Sequence, residues 1–271
     1  MDLQKVAVVS KFGSKESEDA AVKITKKLLG MNADVFTISP VLVEGAKRVD
    51  SIEDLRGNDL DLAITLGGDG TTLRTFRNLD NTTPLLTINV GGNRGILSEI
   101  TMAEFDTAAE QIISDKMILE RRTRVVAQSG GKELASALNE ILVQRTNLTK
   151  TAEIEIKFQN DYVKQKMDGV IIATPSGSTG HSFSLGGPIL HESLDVLIIT
   201  PVAPVYRLES IVVPDEKIEI VCSHDCNVAM DAQVVRTVGF GETITIKKYR
   251  IPATFVRLKK RGLRQMSKLG F

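Results

Sequence analysis

In the first 116 residues, short unbroken apolar runs alternate with apolar residues spaced as on a helix. Residues 6–9 form a continuous run, as expected for a strand buried on both faces. Residues 17–29 put Ala20, Ala21, Ile24, Leu28 and Leu29 on one helical face. Strand-like runs follow at 34–38 (ending before Pro40), 60–66 and 85–90, and a second helical pattern covers 104–113. This βαβα rhythm predicts a doubly wound α/β domain with a mainly parallel sheet.

The pattern changes near residue 117. Short strand-like segments recur at 125–128, 138–144, 153–158, 169–173, 194–199, 210–213, 217–222, 228–230 and 243–247. Turn signals separate many of them: Gly130-Gly131, Asn160-Asp161, Pro214-Asp215 and residues 239–241. Such spacing predicts a β-rich, sandwich-like second domain. The chain is therefore expected to comprise an α/β domain over 1–116 and a β-rich domain over 117–252. The last residues, 253–271, read as strand or helix, and packing back on the first domain is one outcome.

Composition narrows the function classes. The 271 residues are 42% hydrophobic and 25% charged, and 34 basic residues balance 34 acidic ones. Nothing in that balance points to nucleic acid or an anionic membrane. The basic stretch at 257–268 reads as the solvated face of a helix. No apolar stretch approaches the ~20 residues that span a bilayer, and the N-terminus carries no signal-peptide pattern, so a cytoplasmic protein is expected. Cys222 and Cys226 flank His224, but no second cluster completes a metal site and the spacing is not that of a redox pair. No residue is assigned as a protein ligand to a metal.

Three segments carry candidate chemistry. In the first, Thr65-Leu66-Gly67-Gly68-Asp69-Gly70-Thr71-Thr72-Leu73, a buried strand meets a glycine pair and an acid before a helical pattern at 72–79. The glycines allow close approach of a phosphate, and the next helix's first amides would face it. Asp69 would then accept a proton from an attacking hydroxyl or hold a magnesium ion. Alone, the motif fits equally well a tight turn in which Asp69 caps the helix. The second, from Asp168-Gly169 through Thr174-Pro175-Ser176-Gly177-Ser178-Thr179-Gly180 and His181, is dense in hydroxyls and amides suited to phosphate and ribose oxygens. The alternative is an ordinary surface loop. Third, Asn139-Glu140 interrupts an apolar strand at 138–143. Neighbours on a strand face opposite ways, so at least one of the pair should point inward or into a cleft and need a partner. Alone, the pair fits better an exposed position on a solvated sheet face.

Other chemistries drop out. Gly70 is followed by Thr71-Thr72, not the Lys-Ser/Thr of a Walker loop. Ser176 occupies the first-glycine position of a nucleophile elbow around Ser178. The three histidines are scattered, and Gly239-Phe240-Gly241 lacks a third glycine and reads as a hairpin turn.

Taken together, Gly67-Gly68-Asp69-Gly70, Asn139-Glu140 and the segment from Asp168-Gly169 through Thr174 to Thr179 resemble the NAD kinase family in order and approximate separation. The resemblance runs along essentially the whole chain. It implies transfer of the ATP γ-phosphoryl group to the 2′-hydroxyl of the adenosine ribose of NAD. It also implies a divalent cation, magnesium first, and a homodimer or homotetramer. By the same resemblance Asp69 is the proton acceptor, with Gly70 beside it on the dinucleotide and Arg74 near phosphate. Asn139 and Glu140 hold the dinucleotide, Lys150 and Lys166 add contacts, and Asp168 grips the substrate. Thr179, Gly180, His181, Ser182, Phe183 and Ser184 form the binding loop, with Ala203 and Gln233 as further contacts. Gly180-His181 stands where the family has Ala-Tyr, Ile96 where it prefers phenylalanine, and Asp231-Ala232-Gln233 where it has Asp-Gly. The rival readings are a lipid or small-alcohol kinase sharing the Gly-Gly-Asp-Gly turn, and a non-catalytic NAD(P) sensor.

Overall fold

The computed structural model describes residues 3–92, 95–147, 149–260 and 264. The chain divides into two compact units, one built from residues up to Arg121 and from Ala253 onward, the other from Arg122–Pro252.

The strands of the first part are Lys5–Ser10 (β1), Asp34–Ile38 (β2), Lys47–Val49 (β3), Leu62–Leu66 (β4), Leu85–Asn89 (β5), Ile100–Thr101 (β6) and Ile118–Arg122 (β7). Its helices are Lys15–Gly30 (α1), Asp69–Leu79 (α2) and Phe105–Ile113 (α3). The second unit contains Val125–Ser129 (β8), Lys132–Ala137 (β9), Glu140–Arg145 (β10), Ala152–Phe158 (β11), Asp161–Met167 (β12) and Gly169–Ala173 (β13). After the short helix His181–Ser184 (α4) it continues with Val196–Val202 (β14), Ile211–Pro214 (β15), Ile218–Cys222 (β16), Cys226–Met230 (β17), Val234–Val238 (β18) and Thr243–Lys248 (β19). A last strand, Ala253–Arg257 (β20), rejoins the sheet of the first unit.

The first sheet runs β3-β2-β1-β4-β5-β20-β7, with β6 on β5. Strands β1 to β5 are parallel, and β20 pairs parallel to β5. Strand order reverses between β1 and β4, so ligands are expected at the carboxyl ends of those strands. Helix α1 begins where Ser14 accepts the Ser17 N–H, a cap worth about 1 kcal/mol. Its Ala21, Ile24 and Leu28 bury against Val6, Val8 and Val35.

The second unit is two six-stranded antiparallel sheets, β15-β14-β13-β10-β17-β18 and β12-β11-β16-β19-β8-β9. Alternate residues of both fill one core, for example Val143, Val170 and Val228 from one sheet and Ile154, Ile220 and Ile244 from the other. The predicted α/β plus β-rich architecture is the one observed.

Local expectations needed correction. Asn139 precedes β10 instead of lying inside it, so strand alternation does not govern the pair. Residues 239–241 do not close a hairpin, because β18 pairs with β17 while β19 pairs with β16 and β8 in the other sheet. Arg257 sits on a strand at 1% exposure, paired with Glu99 and Glu120, and not on a solvated helix face. The rest of the basic stretch, beyond residue 260 and apart from Arg264, lies outside the described residues, as do Met1 and Asp2. Among the described residues, no helix is long and apolar enough to cross a membrane. Both cysteines are free and buried, and among the described residues no group of three His, Cys, Asp or Glu side chains is arranged to hold a metal.

Candidate functional site

In the first unit, all five residues of β4 are buried, and the strand ends at Gly67, whose φ is 151°. A Cβ there would lie 2.6 Å from Thr71 Oγ1, so the turn needs glycine. Gly68 is the N-cap of α2 and Asp69 its first residue, which leaves the carboxylate at the positive end of the helix. Asp69 is thus not the side-chain cap. Its Oδ2 accepts the Ile96 N–H and its Oδ1 the Leu97 N–H, each at 3.1 Å. Gly95 makes this approach possible, since any Cβ would overlap the carboxylate. A carboxylate offers about four acceptor positions, so two bonds hold Asp69 in place and leave lone pairs free for a proton.

The segment that Asp69 receives is itself braced. The Leu97 carbonyl accepts Thr87 Oγ1 at 2.6 Å and Arg257 Nη1 at 3.1 Å. Glu99 accepts the Leu258 N–H at 2.9 Å and pairs with Arg264 at 2.7 Å. Arg74, on α2, donates Nη2 to the Ser10 carbonyl at 3.2 Å, while its Nε is buried without a partner. It lines a cavity of about 180 Å³ with Ser10, Phe12, Ile38 and Pro40, at the carboxyl ends of β1 and β2. Gly70 is exposed.

In the second unit, Asn139 and Glu140 are held from two sides. The Thr174 N–H donates to the Asn139 carbonyl at 2.8 Å, and Thr174 Oγ1 to the Leu138 carbonyl at 2.5 Å. From the other side, Asp231 accepts the N–H groups of Leu138 and Asn139 at 3.0 and 2.7 Å. The hydroxyl-rich segment is no surface loop: Ser176, Gly177, Ser178 and Thr179 form a buried 3-10 turn. Gly177 lies so close to the Asn139 carbonyl that a Cβ would collide with it. Arg122, buried with Glu192 at 3.5 Å, donates to Ser176 Oγ and supports the turn.

Glu140 is 6% exposed, and its Oε2 has no hydrogen-bond partner. Burial, and then the negative charge of Asp231, push its pKa up to about 7. A Cβ on Gly180 would lie 3.4 Å from that oxygen. The group is a buried acceptor facing glycine backbone, an arrangement that costs stability unless something else binds there.

The remaining predicted residues fall into three groups. Asp168 Oδ1 accepts Arg145 Nε at 2.6 Å, and this hydrogen bond raises the Arg145 pKa. The Asp168 N–H donates to the Val202 carbonyl, and the Val205 N–H to the Lys166 carbonyl, each at 2.9 Å. Lys166, Asp168 and Ala203 are therefore neighbours, with Ala203 exposed at φ 46°. Along α4, His181, Phe183 and Ser184 are exposed, whereas Ser182 is buried with its hydroxyl 2.7 Å from Thr200 Oγ1. Thr179 is buried and Gly180 half-buried. Gln233 is exposed on the same hairpin as Asp231, while Lys150 lies on an exposed turn apart from these clusters.

Sequence reasoning missed Arg145 and the Arg122–Glu192 pair, and met Asp231 only at a departure from the family pattern, without a role for it.

Comparison with known proteins agrees with the motifs. Residues 3–117 match the family profile described as ATP-NAD kinase N-terminal domain, and residues 138–258 match the ATP-NAD kinase C-terminal domain. The NAD kinase of Methanothermobacter thermautotrophicus is 31% identical over 268 residues, 95% of this chain and 93% of its own length. That of Pseudomonas putida strain GB-1 is 33% identical over 258 residues, 90% and 86% of the two chains. An Archaeoglobus fulgidus NAD kinase solved with ATP superposes with a TM-score of 0.79 at 28% identity, covering 98% of each chain. A yeast NADH kinase solved with NADH reaches a TM-score of 0.88 over 99% of this chain and 88% of its own, and at 22% identity it speaks to the fold alone.

Proposed function

The chain belongs to the NAD kinase family, and we infer that it transfers the γ-phosphoryl group of ATP to the 2′-hydroxyl of the adenosine ribose of NAD, yielding NADP and ADP. The observation that carries the reading is the pair of acids at glycine-rich turns, Asp69 with two anchoring amides and Glu140 with a bare buried oxygen.

The step is an in-line displacement. The 2′-oxygen bonds to the γ-phosphorus, the bond from that phosphorus to the bridging β,γ-oxygen breaks, and the hydroxyl proton passes to Asp69. The two amides on Asp69 fix the carboxylate, and its free lone pairs take the proton. Arg74, with its unpartnered Nε, is offered to the phosphates of ATP in the cavity beside β1 and β2. Asn139 and Glu140 orient the dinucleotide through its ribose hydroxyls. Lys150, Lys166, Asp168, Ala203, Gln233 and the segment from Thr179 to Ser184 make further contacts. Held in place, the reactants need no further entropy loss to meet, so positioning supplies much of the rate.

A divalent cation, magnesium, supplies charge neutralisation on the phosphates when bound. Such an ion takes one or two carboxylates plus phosphate oxygens, which suits a chain with no three-ligand cluster among its described residues and one acid at the phosphate-facing turn. Homo-oligomerisation and a cytoplasmic location belong to the same reading and rest on the family.

The test is direct. Purified protein incubated with NAD, ATP and magnesium should accumulate NADP, measured with an NADP-specific dehydrogenase. Dinucleotide binding without NADP formation would identify a sensor instead, and sedimentation with lipid vesicles would favour a lipid kinase.

A further inference from the structure

A second buried acid next to Glu140 is unfavourable unless its charge or its geometry is used. Asp231 is 5% exposed and is the first of the three residues that join β17 to β18. Its φ is 50° and that of Ala232 is 53°, both left-handed, in a tight turn closed by the Gln233 N–H on the Met230 carbonyl at 3.0 Å. That geometry brings the carboxylate over the start of β10. Oδ2 accepts the Leu138 N–H at 3.0 Å, and Oδ1 accepts those of Asn139 at 2.7 Å and Glu140 at 3.4 Å. The Asp231 N–H in turn donates to the Glu140 carbonyl at 3.0 Å. One side chain thus determines where three consecutive residues stand, and it places a negative charge beside a carboxyl that already lacks a partner.

We propose that Asp231 is a positioning residue of the dinucleotide site, which fixes the backbone carrying Asn139 and Glu140 and holds its own carboxylate where it bears on the Glu140 carboxyl. The inference rests on Glu140 being a ligand of the dinucleotide. The groups facing Glu140 are few. Strand β13 pairs Ala173 with it and carries no ionisable residue, and neither does the 3-10 turn Ser176–Thr179. Helix α4 carries His181, exposed, and β17 carries Cys226 at its far end. Asp231 is the neighbour whose charge acts on Glu140.

The sign follows from the chemistry. Burial and Asp231 both disfavour the charged form, so Glu140 is protonated below about pH 7 and accepts hydroxyl protons only above it. Affinity for NAD should fall as pH falls through that point. Without the Asp231 charge, Glu140 ionises at lower pH and affinity persists further into acid.

The experiment is kcat/KM for NAD, at saturating ATP and magnesium, between about pH 5 and pH 9. Wild type, Glu140→Gln, Asp231→Asn and Asp231→Glu are compared. Wild type should show an acid limb near neutrality, and Glu140→Gln should flatten it. Asp231→Asn should move the limb to lower pH and raise KM more than it lowers kcat, by about tenfold at pH 8. Asp231→Glu, which keeps the charge but not the fit, should raise KM and leave the limb near its wild-type position. Should Asp231→Asn not fold, Asp231→Ser retains an acceptor without charge and carries the same expectation. An acid limb that is absent from wild type, or unmoved in the uncharged variants, overturns the proposal. A wild-type enzyme that makes no NADP would instead overturn the kinase reading, so the two failures are distinguishable.

Discussion

In the first unit, Asp69 stands at the N-terminus of a helix and receives two backbone N–H groups. In the second, Glu140 stands at the start of a strand, 6% exposed, with one oxygen bare and another acid nearby. The first environment holds its carboxylate with two N–H donors, and the second opposes charge on its own. A proton acceptor needs a fixed, charged carboxylate with spare lone pairs, and a substrate ligand needs an acceptor that stays empty until substrate arrives. On the proposed reading, the fold supplies the first with a glycine turn and a helix end. On the same reading it supplies the second by closing a 3-10 turn and a hairpin around a strand, at a cost to stability that substrate binding would offset.

The contrast can be broken most sharply at Asp69. Asp69→Asn would remove the proposed proton acceptor and set an amide N–H against one of the Ile96 and Leu97 N–H groups. Turnover should drop by about 10²-fold or more in steady-state NADP formation. A rate within a few-fold of wild type would remove Asp69 from the chemistry. Gly177→Ala strikes the other acid's surroundings, because the added carbon collides with the Asn139 carbonyl. A loss of about 2–3 kcal/mol in denaturant unfolding is expected, with a raised KM for NAD. A Gly177→Ala protein as stable as wild type would show that the turn can shift freely.

Glu140→Gln sharpens the comparison through stability. The Glu140 pKa is about 7 in the folded chain against 4.5 ordinarily. The protonated form's advantage is therefore fully present below the lower value and lost as pH rises through the upper one. Above neutrality wild type buries an unpaired charge that Gln avoids, so Glu140→Gln should be more stable by about 2 kcal/mol at pH 8 and nearly unchanged at pH 4. Melting curves at both values check this, and equal effects at the two would contradict it. The smallest effect is expected at Ala232, where φ is 53°. Ala232→Gly should relieve strain of about 1 kcal/mol and raise Tm by a few degrees.

The two halves of this contrast were unequally legible in the sequence. Around Asp69 the whole device is local: an apolar run, two glycines, an acid and a helical period follow one another within residues 62–79. What stayed hidden there was the contact with Ile96 and Leu97, made by a segment 27 and 28 residues further on. Around Glu140 the decisive contacts join residues 138–140 to 174–180 and to Asp231, and no local period encodes such distances. The polar edge strand Asp161–Met167 escaped notice for another reason, since its side chains alternate without an apolar face to reveal it. Arg257 was misread because its partners, Glu99 and Glu120, lie more than a hundred residues earlier.

The central claim is that one acid serves the chemistry and the other the binding. Rapid-quench single-turnover kinetics with NAD, ATP and magnesium, alongside equilibrium NAD binding, would separate the two in Asp69→Asn and Glu140→Gln. The account predicts that Asp69→Asn slows phosphoryl transfer by about 10²-fold or more with NAD affinity within a few-fold of wild type, while Glu140→Gln weakens affinity more than it slows transfer. Equal losses of rate and affinity in both variants, or an Asp69→Asn protein that transfers phosphate normally, would contradict it.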